Sequence, residues 1–137
     1  PVSTLMKRDA TVLDIGSGAG LPGVVIALAR PDLKVTLLEP LQRRVNFLEE
    51  AVAGLGISVI RGKAESQKGR YDYVTARAVA PLSKLWAISK HLISPGGSLL
   101  AMKGEAAEAE AAEVPGAIVH KIELEGIPLA RVVEVKR

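Results

Sequence analysis

The stretch Thr11-Val12-Leu13-Asp14-Ile15-Gly16-Ser17-Gly18-Ala19-Gly20 decides the fold. Its first five residues read as an apolar strand, and the glycine cluster running to Gly23 ends that strand. Glycines at alternate positions directly after a strand let the backbone approach a ligand closely and turn into a helix. Pro22 stands near the first turn of that helix, where its missing N–H is harmless. The helix is predicted over residues 24–30 and stops before Pro31.

Downstream, strand and helix signals alternate, which predicts βαβ units and a parallel sheet. Lys34–Glu39 (KVTLLE) is the second strand. Leu41, Val45, Leu48, Val52 and Leu55 recur at spacings of four and three and form one apolar helical stripe, ended by Gly54 and Gly56. Residues 57–61 and 71–76 are the third and fourth strands. A helix over 81–93 presents Leu82, Leu85, Trp86, Leu92 and Ile93 inward, Pro95-Gly96-Gly97 is a turn, and 98–103 is the fifth strand. The Ala- and Glu-rich stretch 105–113 reads as a solvated helix. Residues 117–124 and 129–135 flank a Gly-Ile-Pro turn with no room for a crossover helix, so they pair as an antiparallel hairpin. The fold class expected is a doubly wound α/β sheet, Rossmann-like in the methyltransferase manner, with five parallel strands and a C-terminal antiparallel hairpin. A nicotinamide dinucleotide domain would carry a helix between its last two strands.

Bulk properties narrow the chemistry. The 137 residues suffice for one domain. Apolar residues make up 48% but aromatics only 3%, so the core is aliphatic, as in a sheet buried on both faces. Having no cysteine, the chain carries no disulfide, thiolate metal site or cysteine nucleophile, and a reducing cytoplasm is permitted. No apolar run approaches the ~20 residues of a membrane span. The +3 net charge is concentrated in residues 1–77, with eleven Lys/Arg against eight Asp/Glu, but forms no basic run.

Two acidic residues frame a ligand site. Asp14, just before the glycine loop, suits a cationic ligand such as S-adenosylmethionine, whose ammonium and sulfonium it would favour electrostatically. Glu39 ends the second strand, where a carboxylate accepts hydrogen bonds from ribose hydroxyls and repels a 2′-phosphate. Glycine spacing alone leaves the cofactor open, because Gly18, Gly20 and Gly23 also satisfy G-x-G-x-x-G. His91 and His120 stand apart from any ligand cluster, so no metal is expected.

Residues 14–23 (DIGSGAGLPG), Arg30-Pro31, 36–39, 44–48 (RVNFL), 75–81 (TARAVAP) and Lys103-Gly104 resemble the bacterial small-subunit ribosomal RNA guanine-N7 methyltransferases, also called glucose-inhibited division protein B. The resemblance covers nearly the whole chain, in the family's order. It implies methyl transfer from S-adenosylmethionine to N7 of a guanine in 16S ribosomal RNA. Gly16 and Leu21 match the family's cofactor-loop positions, Ala64 and Glu65 the pair near the adenine, and Arg77 an arginine of the cofactor site. Lys63 and Lys103 match basic positions near the RNA face. Guanine N7 already bears a free lone pair, so catalysis reduces largely to positioning, with Arg77 and Lys103 steadying the base or a phosphate. The resemblance further implies ribosomal RNA as the partner and a cytoplasmic enzyme, and a monomer without membrane or metal is expected. Only ten residues precede the first strand, and 1–137 is expected to be a methyltransferase domain lacking the family's N-terminal helical segment. Alternatives are a methyltransferase acting on another substrate, a nicotinamide-binding module, and a non-catalytic ribosome-binding domain.

Overall fold

The computed structural model describes residues 2–16, 23–77, 80–104, 106–124 and 127–137. Seven strands form one sheet: β1 (Thr11–Ile15), β2 (Lys34–Glu39), β3 (Ser58–Arg61), β4 (Tyr71–Arg77), β5 (Ile93–Lys103), β6 (Ile118–Leu124) and β7 (Ile127–Lys136). Their spatial order is β3-β2-β1-β4-β5-β7-β6. Pairing is parallel from β3 through β5, whereas β7 runs antiparallel to both β5 and β6. The hairpin ending is therefore present, and β7 alone opposes the other six strands. Only two residues separate β6 from β7, too few for the closing helix of a nicotinamide domain.

Side chains on successive strand residues point to opposite faces, and this alternation divides the core in two. Leu13, Leu38, Val74, Leu99 and Val133 face one side, where Leu82 and Leu85 of α3 (Leu82–Ser89) and Ala107 of α4 (Ala107–Ala111) cover them. Val12, Leu37, Leu100 and Val132 face the other, packed by Ile26 of α1 (Gly23–Ala29) and by Leu48 of α2 (Gln42–Ala51) with Val52 just beyond it. Each such aliphatic side chain contributes about 1.5–3 kcal/mol by leaving water. Among the described residues no helix is long and apolar enough to cross a membrane.

Three local expectations need correction. Pro95-Gly96-Gly97 lies inside β5, which begins at Ile93. Two steps along β4, from Tyr71 to Tyr73, oppose five along β5, from Ile93 to Ser98. Glycine permits this irregularity: Gly96 has φ +86°, and a Cβ on Gly97 would strike the Asp72 carbonyl oxygen. The stripe on α2 is shorter than its periodicity suggested, because Leu41 (51%) and Leu55 (47%) lie outside the helix and stay exposed. The Ala/Glu helix is not solvated all round, since Ala107 is fully buried and Val114 beyond it nearly so.

Candidate functional site

Strand order reverses between β1 and β4, and the carboxyl ends of strands at such a switch point form the usual ligand crevice of open α/β sheets. At the tip of β1, Gly16 adopts φ +65°, a left-handed conformation that glycine takes without strain, and its N–H donates to the Leu38 carbonyl at 2.8 Å. The loop tip is thereby fixed beside the end of β2.

Asp14 is wholly buried. One carboxylate oxygen accepts the Thr75 hydroxyl of β4 at 2.7 Å, and the other accepts the Gly23 N–H at the start of α1 at 3.2 Å. The charge assigned from sequence to a cationic ligand thus points into the sheet and ties β1, β4 and α1 together. Gly23 is required for this arrangement. A Cβ there would lie 2.9 Å from Asp14 Oδ2 and would overlap Leu37. Gly18, Gly20 and Leu21, the remaining loop positions singled out, lie outside the described residues.

Glu39 ends β2 at 1% exposure. Its Oε1 is a buried acceptor with no hydrogen-bond donor among the described residues. The Arg44 guanidinium lies 3.5 Å away, within ion-pair range but too far for a good hydrogen bond. Leaving a carboxylate oxygen buried and unsatisfied is costly, and a pair of ligand hydroxyls would relieve that cost. The Glu39 carbonyl accepts the Gly62 N–H at 3.0 Å, which draws the exit of β3 onto the exit of β2. Lys63, Ala64 and Glu65 follow directly. Ala64 is buried at the head of a 3₁₀ turn (Ala64–Ser66), while Lys63 and Glu65 are exposed. Gly16, Glu39, Ala64 and Glu65 therefore converge on adjoining strand tips.

Arg77 ends β4, exposed, opposite Met102 of β5. Lys103 does not share that exposure. Its side chain is 4% exposed, and its ammonium donates to the Ala80 carbonyl and to Glu110 Oε1, each at 2.8 Å. The expectation that Lys103 faces RNA is corrected: the cation is turned inward because a carboxylate of α4 and a carbonyl of the β4–α3 connection satisfy it there. The hydrogen bond from Lys103 holds the Glu110 carboxyl below its ordinary range, against a smaller opposing effect of burial.

Sequence reading missed Thr75 and Glu110. Thr75 carried a signal, as a hydroxyl within an otherwise apolar inward-facing run of β4. Glu110 carried none, being one of several glutamates in a low-complexity stretch. Among the described residues no cluster of His, Asp or Glu could hold a metal. The chemistry of the site is thus that of a buried hydroxyl acceptor, a tight glycine turn and exposed cations at its rim.

A family model described as "GidB: rRNA small subunit methyltransferase G" matches residues 1–133. The ribosomal RNA small subunit methyltransferase G of Nocardioides sp. is 58% identical over 107 residues, covering 74% of this chain and 43% of that protein. Its counterpart in Thermobifida fusca is 58% identical over 117 residues, covering 82% and 49%. The chain spans about half the length of the curated relatives it matches. A methyltransferase from Pyrococcus furiosus superposes with TM-score 0.76 at 14% identity, covering 97% of this chain and 77% of that one. The ribosomal protein L11 methylase of Lactobacillus delbrueckii subsp. bulgaricus does so at 0.75 and 16%, covering 99% and 74%. At such identities the superpositions establish the fold, a Rossmann-like methyltransferase sheet.

Proposed function

Because the chain belongs to the GidB family, rRNA small subunit methyltransferase G, we propose that the protein transfers a methyl group from S-adenosylmethionine to N7 of a guanine in 16S ribosomal RNA, in the cytoplasm. The observation that carries the cofactor half of this reading is the buried Oε1 of Glu39, which has no hydrogen-bond donor among the described residues. A carboxylate in that state suits the hydroxyl pair of the cofactor's ribose. Gly16 would let the cofactor lie close to the backbone, and Ala64 offers a small apolar surface beside it, with Glu65 at the exposed edge. The cofactor, when bound, supplies an electrophilic methyl group carried on a sulfonium.

Asp14 contributes by tying the end of β1 to β4 and to the start of α1 through Thr75 and Gly23. Nucleophilicity comes from the guanine itself, since N7 is an unprotonated acceptor on the major-groove edge. The protein's task is then to orient that edge and to exclude competing poses. Arg77 and Lys63, both exposed at the carboxyl rim, are the residues to meet guanine O6 and backbone phosphates.

Calorimetric titration with S-adenosylhomocysteine, with NAD as control, tests the cofactor. Methylation of 16S rRNA lacking the modification then tests the substrate. Binding of S-adenosylhomocysteine but not NAD, followed by N7 methylation, is the expected outcome. Binding of NAD, or a methyl group arriving elsewhere, would overturn the reading.

A further inference from the structure

Lys103 and Glu110 occupy a position that neither the cofactor site nor the core requires. The ammonium of Lys103 bridges two elements, donating to the Ala80 carbonyl in the β4–α3 connection and to Glu110 Oε1 of α4. That same Oε1 also accepts the Leu82 N–H at 3.1 Å, at the first turn of α3. The first N–H groups of a helix have no partner within it, and Pro81, the residue preceding α3, supplies no side-chain cap. A carboxylate from another helix takes over this duty. Segment 80–82 is thus held at both ends by one ion pair, through its carbonyl at 80 and its N–H at 82. It lies three residues beyond Arg77, at the strand tip that borders the switch point.

We infer that Glu110 is a positioning residue for the methyl acceptor, acting with Lys103 to hold segment 80–82 against the carboxyl edge of the sheet. This rests on the methyltransferase reading given above. Two features argue that the pair serves more than stability. A nearly buried ammonium is expensive to maintain, and an apolar pair of the same shape would hold α4 to β5 at less cost. What an apolar pair cannot do is grip a backbone carbonyl and a backbone N–H on the same short segment. Arg77, proposed above to meet the base, lies three residues before this segment, and misplacement of such a group by about an ångström costs on the order of a hundredfold in rate.

The test uses the whole protein with Glu110→Gln, Lys103→Met and the double substitution. Its readouts are kcat and KM for rRNA methylation and the Kd for S-adenosylhomocysteine. Glu110→Gln should lower kcat about tenfold or more, with KM and the homocysteine Kd each within threefold of wild type. The double variant should be no worse than the poorer single one, because each residue is held at its end of segment 80–82 by its ion pair with the other. Should Glu110→Gln fail to fold, Lys103→Arg keeps the charge in a forked head that cannot reproduce the geometry, and the same loss of kcat at constant cofactor affinity is expected. Three results would each overturn the inference: a kcat for Glu110→Gln within twofold of wild type, a rise in KM at unchanged kcat, or single losses that multiply in the double variant. The last would mean that Lys103 touches the RNA independently. A wild-type protein that leaves the rRNA unmethylated would remove the underlying reading instead, a result distinct from an active wild type with an unimpaired variant.

Discussion

Replacing Glu39 by Gln separates the cost of the cofactor site from its benefit. Glu39 Oε1 is buried without a hydrogen-bond donor among the described residues. Its nearest cation, Arg44, has a side chain 55% exposed and sits at 3.5 Å. A pair of that kind contributes at most about 1 kcal/mol. Neutralising Glu39 therefore lowers the free energy of unfolding by no more than about 1 kcal/mol, and relief of the buried charge offsets even that. Cofactor binding responds differently. One charge-assisted hydrogen bond to a ribose hydroxyl is worth about 1.5–3 kcal/mol, so its loss raises Kd about ten- to a hundredfold. Calorimetry with S-adenosylhomocysteine measures the second quantity, and urea unfolding without ligand measures the first. A Kd within twofold of wild type would refute the ribose role. Destabilisation beyond about 2 kcal/mol would show instead that the carboxylate is a structural anchor.

Other perturbations follow from the same geometry. Thr75→Val removes the hydroxyl that satisfies buried Asp14 at 2.7 Å and should cost about 2–3 kcal/mol in urea unfolding. Gly23→Ala places a methyl group against Asp14 and Leu37; overpacking of about 1–3 kcal/mol should appear as a lower thermal midpoint together with weaker homocysteine binding. Acid stability depends on Glu134. Burial opposes its ionisation, but hydrogen bonds from Ser98 (2.6 Å) and His120 (2.8 Å) outweigh that and hold its carboxyl below the ordinary value of 4.5. A carboxyl lowered in the folded state stabilises above that value and loses its contribution as pH falls below it. Unfolding midpoints should therefore drop below about pH 4.5, and Ser98→Ala should flatten the drop.

Much of this architecture is legible in the chain because it rests on periodicity and on glycine. Alternation in β1 and β2 separates Val12 from Leu13 and Leu37 from Leu38, which assigns both faces of the sheet. The shortness of the link forces the hairpin, although Ile127 and Pro128, expected in the turn, already belong to β7, and Glu39 stands out by its place at a strand end. What escaped is the direction in which charged side chains turn. Asp14 and Lys103 both lie at the carboxyl edge, where a ligand-facing role is the natural reading, yet both are drawn inward. Their partners, Thr75, Gly23, Ala80 and Glu110, are supplied by other elements of the fold. No local pattern announces such a contact. The bulge in β5 was hidden for a related reason. Pro95-Gly96-Gly97 has the composition of a turn, and backbone hydrogen bonds between Gly96, Gly97 and Arg137, forty residues away in the chain, keep it in the sheet.

The placement of β7 between β5 and β6 has a consequence for synthesis. A ribosome delivers β6 before β7, yet among the described residues β6 hydrogen-bonds to no strand but β7. The helix α4 rests on this same pair, with Glu108 reaching Arg131 of β7 at 3.3 Å and Lys121 of β6 at 3.6 Å. Until residues 131–136 emerge, β6 has no neighbour to join and α4 lacks its floor, so the nascent chain completes the glycine turn and the Glu39 tip well before it can seat Glu110. Docking of the hairpin, which also brings Val133 and Val135 into one face of the core and Val132 into the other, is accordingly the step that completes both the fold and the seat of Glu110.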